Sequence, residues 1–179
     1  MDKNTLFVPN NFSQDASPLG EFNEINENFI EMIKGNKIDP KPLFICSGGT
    51  TTQCSADHHW TLDLRDNYKK LKFDSNKNEI DVEAGVTMKQ LLNTLLKYKR
   101  SFPIGLSGMT GLGYILTGGI SPLSRSQGLA IDNIEKINGV WGSGESFQLS
   151  RPKNNSNAMT FFKLSGASFT RATVPGMSI

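Results

Sequence analysis

Two glycine-rich stretches, at residues 46–55 and 104–121, constrain the fold of this 179-residue chain more than any other feature. The first reads CSGGTTTQCS and the second IGLSGMTGLGYILTGGIS, so both combine bare backbone with hydroxyl side chains. Glycine lets main-chain N–H groups converge on an anion, and serine and threonine add short hydrogen-bond donors. Neither stretch contains a lysine or an arginine. The pair therefore predicts a site that holds a phosphorylated cofactor without cationic side chains.

Each stretch can also be accounted for without a ligand. The first could be an ordinary turn between strands in which Gly48-Gly49 supplies a positive φ, and the second a packed system of glycine turns. The second stretch does not match the dinucleotide fingerprint G-x-G-x-x-G, because Leu116 stands where the third glycine belongs. It does not match a Walker loop either, because Gly119 occupies the lysine position. From the residues alone, a turn without a ligand remains an alternative for each stretch.

Five blocks of the sequence, in order, resemble segments of the FAD-linked oxidases of the vanillyl-alcohol oxidase and p-cresol methylhydroxylase (PCMH) type. This group includes the berberine-bridge-like oxidases. The last block is a weakened version of the family pattern, and together the blocks cover roughly residues 40–175. The blocks are SGGTT at 47–51, VEAGVT at 82–87, the glycine run at 105–119, GLAIDNI at 128–134 and FKLSGASFT at 162–170.

The resemblance implies an α+β fold, a PCMH-type FAD-binding domain with two small sheets and flanking helices. It implies that FAD is the cofactor, with the diphosphate at the first stretch and the flavin nearer the second stretch and the GLAIDNI block. The predicted cofactor-binding residues are Ser47, Gly48, Gly49, Thr50, Thr51, Thr52, Ser55, Ser107, Met109, Thr110, Gly111, Gly113, Asp132, Asn133 and Ile134.

The way the flavin is attached is expected to differ from that in many relatives. Those relatives link the flavin covalently to a histidine in the first stretch, and some add a cysteine in the second. This chain has Thr50 and Ser107 at these positions, and neither hydroxyl is a plausible link at neutral pH. We therefore expect FAD to be bound non-covalently.

In the resembled family a substrate domain follows the flavin domain and supplies most of the residues that act on substrate. We expect residues 1–20 to form an irregular lead-in and residues 21–179 to form the FAD-binding domain, with the substrate domain absent. Catalytic residues are therefore not assigned. The expected function is that of a flavin-dependent oxidoreductase which needs a further domain or partner chain, or which self-associates through the face that a substrate domain would cover. The alternative is a truncated, non-catalytic flavin-binding or interaction module.

Local patterns predict two amphipathic helices. Apolar residues recur at helical spacing over residues 22–33, and Gly35 provides a stop. A second helix begins at Thr87, because Thr87 and Gln90 have the spacing of a capping box. The apolar face of this second helix comprises Met88, Leu91, Leu92, Leu95 and Leu96.

Strands are predicted where short apolar or alternating runs are bounded by turn residues. The run Leu43–Cys46 is short enough to be a buried strand ahead of the first glycine stretch. The other predicted strands are residues 60–64, a hairpin over residues 68–84 and a second pair formed by residues 132–140 and 146–150.

Composition excludes several classes of partner. The net charge is only +2 with scattered basic residues, so we expect no nucleic-acid binding. The sequence contains neither an apolar run of about 18 residues nor a leader-like amino terminus, which predicts a cytoplasmic protein without membrane contact. Two cysteines are too few for a disulfide framework, consistent with a reducing compartment.

Two other kinds of site are disfavoured by spacing. Cys46, Cys54, Asp57, His58 and His59 lie within fourteen residues and could suggest zinc. Structural zinc sites, however, pair cysteines two to four residues apart, whereas seven residues separate these two. A serine hydrolase is disfavoured because no G-x-S-x-G elbow occurs. We predict no metal site.

Overall fold

The computed structural model of the chain describes residues 20–34, 43–50, 54, 57–151, 168–175 and 177–178. The predicted α+β class is confirmed, with strands and short helices interleaved along the chain. The elements are β1 (Gly20–Phe22), α1 (Glu27–Lys34), β2 (Phe44–Cys46), β3 (Trp60–Asp63), β4 (Leu71–Asp74), β5 (Glu79–Glu83), α2 (Met88–Leu96), β6 (Arg100–Ser101), α3 (Gly113–Leu116), α4 (Ser124–Gln127), a 3₁₀ turn (Ala130–Asn133), β7 (Lys136–Val140), β8 (Ser146–Ser150), β9 (Ser168–Pro175) and β10 (Met177–Ser178).

A three-stranded parallel sheet, in the order β1-β3-β2, carries the first glycine stretch. Strand β2 pairs with β3 in a register that places Cys46 opposite Asp63, and the amide of Leu64 donates to the carbonyl of Cys46 at 2.9 Å. Parallel strands end at the same edge of a sheet. The residues after β2, which begin with Ser47, therefore lie beside the residues after β3, which include Arg65.

A five-stranded antiparallel sheet has the order β4-β5-β9-β7-β8. The predicted hairpins β4–β5 and β7–β8 are confirmed, and the first turns through Asn78 at a φ of 54°. Strand β9 joins the two hairpins by pairing with both β5 and β7. A further two-stranded ribbon, β10–β6, adds to the two small sheets that were expected.

One hydrophobic core connects both main sheets with the helices. Strand β5 alternates between buried and half-buried residues and points Ile80 and Val82 inward. Helix α2 packs Leu91 and Leu95 into the same core, and Phe29 of α1 is completely buried there. Since β5 leads directly into α2, the shared core fixes where the amino end of α2 lies.

Helix α2 starts as the sequence predicts. The hydroxyl of Thr87 accepts from the amide of Gln90 at 3.4 Å, and the Gln90 side chain accepts from the amide of Thr87 at 2.9 Å. The far end of the helix differs from the prediction, because the Leu96 side chain is 49% exposed and only Met88, Leu91 and Leu95 are buried.

Two predicted boundaries were wrong. Phe22 belongs to β1, which pairs in parallel with β3, so the first helix starts only at Glu27. The periodicity that suggested an earlier start arises because Phe22 and Phe29 pack together, with ring centroids 5.3 Å apart. Asp132 and Asn133 form part of the 3₁₀ turn, so the strand begins at Lys136. Of the predicted lead-in, only Gly20 lies within the described residues, and it is the first residue of β1.

Within the described part of the chain, every helix falls short of the length and apolarity required to cross a lipid bilayer.

Candidate functional site

The two glycine stretches touch each other through their main chains. A Cβ on Gly48 would lie 2.1 Å from the Gly111 nitrogen, and a Cβ on Gly111 would lie 2.3 Å from the Gly48 nitrogen. Only glycine permits such an approach, because side-chain carbons do not come within 3.0 Å of backbone atoms. At this point the stretches are in contact, so no ligand passes between Gly48 and Gly111.

A cavity of about 230 Å³ opens beside this contact, and both stretches line it. Glycine backbone and threonine and serine hydroxyls supply the smaller, polar part of its surface, and the larger part is apolar. The lining residues are Ile45, Ser47, Gly48, Gly49, Thr50, Cys54, Thr110, Gly111, Gly113, Tyr114 and Thr117. Seven of the predicted cofactor-binding residues are therefore brought together at one cavity.

Ser47 links three segments at the floor of this site. Its hydroxyl donates to the carbonyl of Ala84, just after β5, and accepts from the amide of Gly113 at 3.4 Å. The side chain therefore holds the end of β2, the end of β5 and the start of α3 together. Its hydroxyl proton is used within the protein, which makes Ser47 a structural brace of the cavity.

The second stretch is held by the amino end of helix α2. The first amides of a helix have no partner inside it. Here the amide of Met88 donates to Thr110 O at 2.9 Å, and the amide of Lys89 donates to Gly108 O at 2.8 Å. An antiparallel bridge between Thr87 and Gly111 adds to these bonds. The helix end is thereby satisfied and the second stretch is fixed in place.

A cation lies against the first stretch, which the local sequence did not indicate. Gly49 has a φ of +67°, and a Cβ there would lie 2.7 Å from Nη1 of Arg65. Arg65 is held by a fork of hydrogen bonds to the buried carboxylate of Asp63, the shortest being 2.7 Å from Nη2. These hydrogen bonds raise the pKa of the Arg65 guanidinium above its usual value. The first stretch itself contains no lysine or arginine, but the cationic side chain of Arg65 lies directly beside it.

Five predicted residues do not line the cavity. Ser107 and Met109 bond within their own turn, where the Met109 amide donates to the Ser107 hydroxyl at 3.2 Å. Asp132 accepts from the Leu129 amide, and the Asn133 side chain donates to the carbonyls of Gln127 and Leu129. The side chain of Ile134 packs in the core. Contacts of these five with a cofactor stay predictions, and Thr51, Thr52 and Ser55 lie outside the described residues.

Four lining residues were missed by sequence reasoning. Ile45 and Cys54 flank the first stretch, and Tyr114 and Thr117 lie on α3 and at its end. Helical spacing could have found Thr117, which lies four positions after Gly113, and then Tyr114, which lies three positions before Thr117. Arg65 could not have been found this way, since only the pairing of β2 with β3 brings it to Gly49.

The residues that were considered for zinc do not form a metal site in the structure. No group of three or more potential ligands occurs within the described ranges. Cys46 is a buried residue at the end of β2, and Nδ1 of His59 bonds the carbonyl of Asp57 in its own exposed loop.

Comparison with known proteins identifies the class to which this fold and cavity belong. The profile of the FAD binding domain family matches residues 27–150. The FAD-linked oxidoreductase janO of Penicillium janthinellum is 33% identical over 149 residues, which is 78% of this chain and 32% of that protein. The chain spans only 26% and 32% of the curated relatives that it matches.

Solved structures of two enzymes share the fold. The 6-hydroxy-D-nicotine oxidase of Arthrobacter nicotinovorans superposes with a TM-score of 0.78 at 20% identity, over 91% of this chain and 37% of that one. The berberine bridge enzyme of Eschscholzia californica gives a TM-score of 0.73 at 19% identity, over 89% of this chain and 33% of that one. The predicted PCMH-type architecture is thereby confirmed.

The chain belongs to the FAD-binding domain family of FAD-linked oxidoreductases, and its cofactor is FAD. The cavity fits part of this cofactor. Glycine backbone and the Thr50 hydroxyl suit a diphosphate, since they supply N–H and O–H donors at close range. The hydroxyls of Thr110 and Thr117 donate instead to the carbonyls of Ser107 and Tyr114. At about 230 Å³ the cavity is smaller than the roughly 300–1,000 Å³ that encloses a drug-sized ligand, so it accommodates only one portion of FAD.

Proposed function

We propose that this domain binds FAD non-covalently, with the diphosphate in the cavity between the two glycine stretches. The observation that carries the proposal is this cavity, whose polar lining is contributed by both stretches. The main chain at Gly48, Gly49 and Gly113 provides close approach, and the hydroxyl of Thr50 provides a donor. Arg65, packed behind Gly49, adds positive charge on the far side of the first stretch.

We further propose that the domain serves a flavin-dependent oxidoreductase acting on a small substrate with an oxidisable C–H or alcohol group. FAD supplies the two-electron chemistry when bound, and the protein supplies binding and orientation. This chain's part is to hold the cofactor, while residues that act on substrate come from a further domain or a partner chain. The alternative, a flavin-binding module without turnover, makes the same cavity but reduces no substrate.

Exposed apolar side chains near the second stretch support docking of such a domain, a partner or a second copy. Among the described residues, Leu106 is 94% exposed and Ile120 is 73% exposed, and Leu123 and Leu129 are also exposed. Large exposed apolar patches mark interaction surfaces. If the surface is used for self-association, light scattering will show dimers that Leu106→Ser and Ile120→Ser dissociate. A monomer at all concentrations would leave a different chain or domain as the partner.

Non-covalent attachment rests on the residues at the two linkage positions of the family, Thr50 and Ser107. Freshly purified protein is expected to show a flavin absorption spectrum that bleaches with dithionite and recovers in air. After acid precipitation the flavin is expected in the supernatant. Recovery of flavin with the pellet would contradict non-covalent binding, and a colourless folded protein that takes up no added FAD would contradict the proposed function.

A single methyl group tests the position of the diphosphate. Gly113 lines the cavity, and a Cβ there would meet only the Ser47 Cβ at 3.9 Å, which is ordinary contact. We expect Gly113→Ala to retain its stability but to bind FAD about tenfold more weakly, because filling a close-fitting site costs about 1–3 kcal/mol.

The matched control is Gly142→Ala, in an exposed turn where a Cβ meets nothing within 4 Å. Both variants change the unfolded chain equally, so a difference in FAD affinity measured by fluorescence titration reports on the cavity. Equal affinity of the two variants would place the diphosphate elsewhere.

A further inference from the structure

Arg151 joins the end of the five-stranded sheet to the 3₁₀ turn, and the proposed function does not yet use this contact. Its side chain donates to two main-chain carbonyls, from Nη2 to Ile131 at 2.6 Å and from Nε to Ile134 at 2.8 Å. Its own amide donates to the carbonyl of Glu135 at 2.7 Å. Because Arg151 comes directly after β8, these three bonds fasten the turn and the residues after it to the edge strand of the sheet.

The carboxyl end of this turn needs a donor from outside the turn. The last carbonyls of a helix lack partners within it, and a cation at this end is favourable. Ile134 is 1% exposed, so water reaches its carbonyl poorly. A guanidinium suits this place because its N–H groups lie in one rigid plane and can bond two carbonyls at once. Arg151 therefore fixes the position of the turn.

The turn in turn holds the second glycine stretch. The amide of Ala130 donates to the carbonyl of Gly119 at 3.0 Å, and the amide of Ile131 donates to the carbonyl of Gly118 at 3.2 Å. The two segments are also pressed together, since a Cβ on Gly119 would lie 2.4 Å from the Ala130 Cβ. The turn therefore cannot shift without moving Gly118 and Gly119.

These two glycines adjoin the wall of the cavity. Gly118 directly follows Thr117, which lines the cavity, and the Gly118 amide donates to the carbonyl of Ile115 at 3.1 Å. Ile115 is completely buried in the core. A movement of Gly118 is therefore passed to Thr117 and to the end of α3, which form one side of the cavity.

We propose that Arg151 is a positioning residue of the cofactor site, an inference that rests on the proposed function. Arg151 is not among the residues that line the cavity, and it acts through the 3₁₀ turn and Gly118 on the wall at Thr117. Without the guanidinium, fewer molecules have a cavity of the right shape. The apparent affinity for FAD falls with that fraction.

Hydrogen exchange in the flavin-free protein tests the first part of this path. In Arg151→Ala the amides of Gly118, Ala130 and Ile131 are expected to exchange at least about fivefold faster, because the turn opens locally. The amide of Leu64, which bonds within the parallel sheet, is expected to be unchanged. Equal acceleration of all four amides would show a general loss of stability and overturn a positioning role, as would no acceleration at all.

Fluorescence titration with FAD tests the second part. Arg151→Ala is expected to raise the Kd about fivefold, because fewer molecules are competent to bind. The matched control is Arg100→Ala, which also removes one guanidinium and one short bond, from Nε to the Asn78 side chain at 2.6 Å in the turn of the first hairpin. Its Kd is expected to stay within about twofold of the native value. The same Kd for both variants would overturn the proposal.

Added guanidinium separates the bonds of Arg151 from its packing. At about 20 mM it is too dilute to unfold the protein, and it can enter the space left in Arg151→Ala. We expect it to lower the Kd of this variant for FAD at least about twofold relative to the same concentration of sodium chloride, and to leave the native Kd unchanged. An equal Kd in the two salts would contradict a role for the guanidinium bonds. If Arg151→Ala does not fold, Arg151→Met keeps most of the apolar stem and replaces it in the exchange and titration experiments.

Failure of this inference and failure of the proposed function give different results. Native protein that takes up no FAD would contradict the proposed function, while exchange of the Ala130 and Ile131 amides would still decide whether Arg151 fixes the turn. Native protein that binds FAD, together with an Arg151→Ala variant that binds it equally well, would overturn only the role of Arg151.

Discussion

The two glycine stretches look alike in sequence but are built differently. The first follows a strand of the parallel sheet, and its glycines are enclosed: Gly48 lies against Gly111, and Gly49 lies against Arg65. The second stretch takes hydrogen bonds from the start of α2 and from the 3₁₀ turn, and it combines enclosed glycines such as Gly119, where a Cβ would lie 2.4 Å from the Ala130 Cβ, with an open one. Gly118, with a φ of +110°, has no atom near its missing side chain.

This difference shows that glycines in one motif serve three separate purposes. Gly48 and Gly111 let two main chains touch, Gly49 and Gly118 supply a positive φ, and Gly113 leaves room beside the cavity. The last purpose leaves space for a ligand, and Gly48 and Gly49 also line the same cavity. Counting glycines in the sequence therefore overestimates the number that leave open space beside the cavity, and substitutions can separate the three purposes.

The largest effect is expected from Gly48→Ala. The new Cβ would lie 2.1 Å from the Gly111 nitrogen and 2.8 Å from its Cα, so both stretches would have to separate. Overpacking a core usually costs about 1–3 kcal/mol, and here rigid backbone must move, so we expect the free energy of unfolding to fall by at least about 3 kcal/mol. Urea denaturation followed by circular dichroism measures this change.

Gly142→Ala is again the matched control, and its free energy of unfolding is expected to stay within about 0.5 kcal/mol of the native value. A Gly48→Ala variant as stable as Gly142→Ala would contradict the enclosure of Gly48 by the second stretch. The stretches would then not be in main-chain contact in solution, and the cavity would be wider than described.

The parts of this fold that could be predicted from the sequence are those determined by near neighbours. The capping box of Thr87 and Gln90 and the hairpin ending at Glu83 both depend on contacts between residues only a few positions apart. The strand before Ser47 was also predicted, since a short apolar run that ends at glycines is typical of a buried strand. The family resemblance added the fold and the cofactor.

What could not be predicted depends on distant pairing. Phe22 has helical spacing with its neighbours, yet Gly20–Phe22 pairs with β3 because strand pairing outweighs a local preference. Arg65 reaches Gly49 only through the sheet, and the closure of Gly48 on Gly111 joins segments more than sixty residues apart. The contact between Gly48 and Gly111 and the charged neighbour Arg65 therefore lay beyond what local sequence patterns indicate.

The second prediction tests whether the charge of Arg65 acts on the diphosphate or only supports the loop. A unit charge in a partly buried setting contributes on the order of 1–2 kcal/mol to binding an anion several ångströms away, so we expect Arg65→Gln to weaken FAD binding about tenfold. Riboflavin lacks phosphate and is expected to bind equally well to both proteins. Fluorescence titration with each ligand gives the ratio of affinities.

Arg65→Lys is the control that keeps the charge but cannot form the fork with Asp63. If the charge matters, this variant retains most of the preference for FAD over riboflavin. If Arg65→Gln lowered the affinities for FAD and for riboflavin by the same factor, Arg65 would only support the backbone at Gly49. In that case, neither glycine stretch would use a cationic side chain to bind FAD.

The smallest effect is expected at the helix that holds the second stretch. Thr87→Ala removes the side-chain acceptor for the Gln90 amide, and loss of such a cap costs about 1 kcal/mol. Because the Met88 and Lys89 amides bond the second stretch, fraying at the start of α2 is expected to speed the hydrogen exchange of these two amides about fivefold, which corresponds to about 1 kcal/mol.

Thr94→Ala is the matched control, since the Thr94 hydroxyl only bonds the Gln90 carbonyl within the same helix. This variant is expected to leave the exchange of both amides unchanged. Equal exchange in the two variants would show that the cap does not position the second stretch, and that Ser47, through its bond from Gly113, holds both stretches.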